Sequence, residues 1–187
     1  MAQPAFAQHA VGSMGTGMLG LVAANGFSKE ESLYRSKAYL MSQILGSSEV
    51  PLSFQVFALA AATSGELTSL VYTCAERKKQ GLLLAFYGNR WNDAGVNYQA
   101  YDFKDLPTEK AKELMAKIEK MLIVDPFVIR NSDSDSNNLY FRYDDITVLI
   151  SNPTATEPQI RLFWGQYDSE WNVSSFRKTV RRMDKKI

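Results

Sequence analysis

Pro107-Thr108-Glu109-Lys110-Ala111-Lys112-Glu113-Leu114-Met115-Ala116-Lys117-Ile118-Glu119-Lys120-Met121-Leu122-Ile123 carries the clearest helical pattern in the chain. Ala111, Leu114, Met115, Ile118, Met121 and Leu122 recur at the spacing that sets them on one side of an α-helix. Lys110, Lys112, Glu113, Lys117, Glu119 and Lys120 fill the other side. A helix so divided lies on a core with its second face in water. Asp105 is placed to cap it, Pro107 suits its first turn, and Glu109 favours the positive end of its dipole. Asp125-Pro126 ends it.

Upstream, β-rich runs at 54–61, 67–75, 82–87 and 96–103 are separated by turn-forming stretches at 63–66, 76–81 and 88–95. Such short connections favour antiparallel neighbours, because parallel strands need long crossovers. Leu82-Leu83-Leu84-Ala85-Phe86-Tyr87 is apolar on both faces, which places it centrally in the sheet. Before the strands, Ser28-Lys29-Glu30-Glu31 reads as a capping box opening a helix. Its expected apolar face is Leu33, Tyr34, Ala38, Met41, Ile44 and Leu45, and Gly46-Ser47-Ser48 stops it.

Downstream of the central helix, runs at 139–143 and 146–151 flank Asp144-Asp145 as a tight hairpin, and a strand follows at 159–164. Asn172 caps a last helix bearing Val173, Phe176, Val180 and Met183 on one side. The expected fold is therefore α+β: one domain over 28–187, a mainly antiparallel sheet with helix 107–123 on one face and helices near both termini. A glycine-rich leader at 1–27 is expected to be flexible.

Composition narrows the function classes. The chain of 187 residues has a formal net charge of +1, so no whole-protein field selects nucleic acid. Its apolar runs are too short for a membrane-spanning helix. His9 is the one histidine, which excludes histidine-dependent acid/base catalysis, a Ser-His-Asp triad and a histidine-rich zinc site. Cys74, alone and inside a strand run, reads as a small buried hydrophobe. Ala5-Phe6-Ala7 matches the small-residue pattern read by signal peptidase, so export to the periplasm or medium is the expected localisation, with a mature start near Gln8 or His9.

No catalytic residue and no cofactor is assigned. Gly15-Thr16-Gly17-Met18-Leu19-Gly20 matches a dinucleotide fingerprint but lacks the strand before it and the βαβ unit around it. Asp133, Asp135, Asn137 and Asp144 have the spacing of a calcium loop, weakened by Asn138 at the position of the turn glycine. Aromatics gather late, and three of them, Trp91, Tyr167 and Trp171, with Asp168, are the expected binding edge in loops. The final helix adds Arg177, Arg181 and Arg182, beside Lys178, Lys185 and Lys186, as a cationic surface. Such a surface suits an acidic protein partner or an anionic membrane surface. Three readings follow: a non-catalytic, exported interaction module such as an envelope-complex subunit or small inhibitor; a small-molecule pocket protein with an Asp/Tyr activity; and a carbohydrate-binding or glycosidase domain, which needs paired carboxylates across a cleft.

Overall fold

A computed structural model describes residues 20–21, 29–60, 67–91, 94, 97–123, 138–151 and 158–187. Within these residues the chain forms nine antiparallel strands, a five-stranded sheet and a four-stranded sheet joined through one strand of each, and three helices, the expected α+β class. Helix α1 (Lys29–Tyr39) runs directly into a π-helical stretch, Leu40–Leu45. The first sheet follows, as β2 (Gln55–Ala60), β3 (Thr68–Cys74), β4 (Lys79–Trp91) and β5 (Asn97–Pro107), paired in sequence order. Gly20–Leu21, within the expected leader, forms a short β1 beside Tyr101 and Ala100 of β5, so this part of the leader belongs to the sheet. The remainder of 1–27, including Ala5-Phe6-Ala7, lies outside the described residues, as does Ser28 of the capping box.

Helix α2 (Thr108–Ile123) buries Ala111, Leu114, Met115 and Ile118, and Met121 and Leu122 pack against the same core. All six expected apolar positions therefore face the core; Pro107, expected in the first turn, ends β5 instead, and the helix starts at Thr108. Asp105 does not cap it: strand β5 continues through that residue, and its carboxylate instead accepts from Tyr72 Oη at 2.8 Å.

The second sheet consists of β6 (Asn138–Tyr143), β7 (Ile146–Ser151), β8 (Gln159–Trp164) and β9 (Tyr167–Trp171), again in sequence order. The expected Asp144-Asp145 hairpin is present, with Asp144 at a φ of 56°. The two sheets meet at the far end of β4, where Arg90 is registered with Tyr167, and Leu67 N–H donates to Glu170 O at 2.9 Å. Helix α3 (Val173–Met183) begins at Asn172, whose side chain accepts from Ser174 N–H at 2.8 Å.

Period-two alternation explains where the core sits. Leu82, Leu84 and Phe86 of β4 join β7, β8, β9, α2 and α3 in one apolar cluster. Leu83 and Ala85 point the other way, into a second cluster with Leu40 of the α1 segment. The run 82–87 is thus apolar throughout because the first sheet is covered on both sides. The covering face of α1 differs from the expected one. Leu33, Leu40 and Ile44 pack on the sheet, while Tyr34 and Met41 face solvent. The helix carries apolar residues on two neighbouring arcs, and the π-helical stretch rotates its last turn relative to an ideal 3.6-residue repeat.

Candidate functional site

Helix α3 is held by three kinds of contact. Val173, Phe176, Thr179 and Met183 are buried, with the Trp171 and Phe176 rings edge-to-face at 5.2 Å. Beneath the helix, the Thr179 and Ser69 hydroxyls bond to one another in the core. At its far end Arg182 Nη1 donates to Leu59 O at 2.5 Å, and Lys186 Nζ sits 4.0 Å from the centre of the Phe57 ring. Both of these cations are engaged by β2.

The other cations of this helix and the turn that follows it have no carboxylate partner among the described residues. At 3.6 residues per turn, Arg177, Lys178, Arg181 and Lys185 fall on one arc opposite the buried stripe, and all four are exposed. Among the described residues none of the four has an ion-pair partner. The net charge of +1 conceals this local surface, which collects four cations, unpaired among the described residues, along a little over two turns, about 12 Å at 1.5 Å per residue. The helix beneath is fixed at both ends, so the cations are carried on a rigid support.

The other expected binding residues are not brought together. Trp91 is the last residue of β4, registered with Asn97, so the strand runs through what reads as a loop; its side chain is outside the described residues. Tyr167 and Trp171 are core residues rather than an exposed edge. Tyr167 Oη donates to Tyr101 O at 3.2 Å, and its ring stacks on Trp164 at 6.3 Å. Asp168 lies on the outer face of β9, where Arg161 donates to it at 2.6 Å. Strict alternation in Tyr167-Asp168-Ser169-Glu170-Trp171 was the missed signal: odd positions point in and even positions out. Gly165, at a φ of 58°, makes the tight turn into this strand, which a reading of one long loop overlooks.

The calcium spacing is not supported at its described end. Asp144 is bonded by Lys110 Nζ at 2.9 Å, and Asp133, Asp135 and Asn137 lie outside the described residues. The exposed aromatics on the second sheet are Tyr140 and Phe163, which sequence reasoning did not single out.

Two polar clusters remain. Asp145 accepts from Lys104 at 2.6 Å and from Trp164 Nε1 at 2.9 Å. Burial pushes this carboxyl up, but those two bonds outweigh it and hold Asp145 below the ordinary carboxylate value. On the opposite side of the first sheet, burial pushes the Asp105 carboxyl above its usual value despite the Tyr72 bond. Burial and the nearby Asp102 and Asp105 carboxylates push the Tyr39 hydroxyl up to about 12. Buried Asp102 accepts the amide of Phe103 at 2.8 Å. A surface hollow of about 420 Å³ lies elsewhere, between Met41, Leu45 and the segment from Gly46 to Phe54, away from both acidic clusters.

No family model, curated protein or solved structure matches this chain.

Proposed function

We propose that this chain is a binding module that docks an acidic protein partner on the cationic arc of α3. One observation carries the reading: Arg177, Lys178, Arg181 and Lys185 are exposed, lie on one arc and have no ion-pair partner among the described residues. Elsewhere on this surface some cations are matched with carboxylates, as in Lys110–Asp144 and Arg161–Asp168, and others, such as Lys112 and Lys120 of α2, are unpaired among the described residues but share their helix with Glu109, Glu113 and Glu119. Unpaired charges of one sign on a rigid support steer an oppositely charged partner and fix its register. An amphipathic helix that binds lipid buries its apolar face in the bilayer. Here Val173, Phe176 and Met183 are already in the core, which favours a protein over a membrane surface.

The test is recovery of partners from native extract by the wild-type chain, by Arg177→Glu/Arg181→Glu, and by Arg177→Lys/Arg181→Lys. Partners kept by the lysine variant and lost on charge reversal support the reading; the same partners recovered by all three contradict it. Arg182 is left intact because it anchors Leu59.

Export is part of the same proposal and rests on Ala5-Phe6-Ala7. Mass spectrometry of the protein from its native cells checks it. A start near Gln8 or His9 in the periplasmic or culture fraction agrees with export, and an intact leader confined to the cytosol contradicts it.

A further inference from the structure

Strand β2 ends one side of the first sheet: it pairs with β3 alone, so its other edge has no strand beside it among the described residues. Every second residue of such an edge turns its N–H and C=O away from the sheet. Native edges are commonly guarded by charge, proline, a bulge or a covering element. In Gln55-Val56-Phe57-Ala58-Leu59-Ala60 there is no charge and no proline. The register skips Leu59, which makes a bulge there, and the Leu59 carbonyl is occupied by Arg182. Protection thus covers the Leu59 end; along Gln55–Ala58 the described residues show only Lys186 over the Phe57 ring and no partner for the outer backbone edge, and Gln55 and Ala58 are exposed.

The same edge lies beside the cations of α3. Arg182 and Lys186 reach β2 directly, at Leu59 and Phe57. Lys178 and Lys185 stand one turn before and about one turn after Arg182 on the solvent side, and neither is paired among the described residues. An uncharged strand edge, unpaired among the described residues and reached by two cations of the α3 segment, fits an extended peptide whose alternate side chains are carboxylates.

We infer that the acidic partner binds by strand addition, pairing an extended segment with Gln55–Ala58 while its carboxylates meet Lys178 and Lys185. Main-chain hydrogen bonds then supply affinity and the cations supply selection. This rests on the acidic-partner reading and adds the shape of the ligand to it.

Three synthetic probes of equal charge separate the two ideas with the full chain: a peptide alternating glutamate and valine, the same peptide N-methylated at alternate residues, and a glutamate peptide patterned as a helix. Fluorescence anisotropy gives each Kd, and hydrogen exchange follows the β2 amides. The expected result is that N-methylation weakens binding by about tenfold or more, that the helical probe binds no better than the methylated one, and that exchange at Gln55–Ala58 slows with the alternating peptide. Lys178→Glu/Lys185→Glu weakens the alternating peptide by a similar factor. Equal affinity for all three probes, lost on charge reversal, overturns strand addition while leaving the cationic docking surface standing. No binding of any probe overturns both. A chain that light scattering shows to be a dimer, and that the alternating peptide does not compete apart, assigns the edge to a second copy and overturns the inference.

Discussion

Lys104 Nζ lies 2.6 Å from Asp145 Oδ1, and this contact ties the last strand of the first sheet to the first turn of the second. Trp164 Nε1 donates to the other Asp145 oxygen, and Lys110 of α2 holds the neighbouring Asp144. One acidic turn thus receives β5, β8 and α2. Asp145 is half exposed, so its interactions are screened, and Lys104→Met should cost only about 1 kcal/mol of stability, read by urea unfolding. The pH dependence has a definite sign. A carboxyl held below its unfolded value contributes stability that is present above the ordinary carboxylate range and lost as pH falls through the folded value. Asp145→Asn should be less stable than wild type at neutral pH, with the gap closing in acid.

The Tyr72–Asp105 pair gives the opposite sign. Burial raises the Asp105 carboxyl, so its contribution is fully present below the unfolded value and lost as pH rises through the folded one. Asp105→Asn keeps an acceptor for Tyr72 and removes the buried charge. Its stability should match or exceed wild type at neutral pH and lose that advantage in acid, measured by thermal unfolding across the pH range.

The buried Ser69–Thr179 hydroxyl pair predicts non-additive mutants. Thr179→Val leaves the Ser69 hydroxyl unsatisfied in the core, at about 1–3 kcal/mol. Adding Ser69→Ala should recover part of that loss, because two apolar groups leave no orphan. A double-mutant cycle by denaturant unfolding reads the coupling.

Trp171 separates a core role from a binding role. Its ring is fully buried against Phe176, so Trp171→Ala should cost about 3–5 kcal/mol, as large aromatic truncations do. A variant with wild-type stability and weakened ligand binding would return Trp171 to the surface.

These residues also show what the sequence made legible. The buried face of the 107–123 helix was legible because six apolar positions share one period and charges fill most of the rest. The strand 82–87 could be placed centrally because both of its faces are apolar. The extension of β4 to Trp91 was hidden by turn-forming Gly88 and Asn89, and that of β5 to Pro107 by the helix-start pattern of Asp105 and Pro107; pairing in a long hairpin overrides both. By composition alone Tyr167 and Trp171 fit a binding edge as well as the core they occupy, because strand aromatics and binding-site aromatics are the same residue types. Only alternation distinguishes them. The cations of the last helix were visible from charge alone. Their division into anchors, Arg182 and Lys186, and free groups, Arg177, Lys178, Arg181 and Lys185, depends on β2, which is more than a hundred residues away.

The cationic docking surface is tested most directly by the affinity of a purified recovered partner for wild type and for Arg177→Glu/Arg181→Glu, measured over a range of salt by isothermal titration calorimetry. Both arginines are exposed and neither has an ion-pair partner among the described residues, so the variant should unfold within about 0.5 kcal/mol of wild type. Wild-type affinity should fall as salt rises, and charge reversal should weaken it by about tenfold or more at low salt. A variant that folds normally and binds with unchanged Kd at every salt concentration would contradict the cationic docking surface.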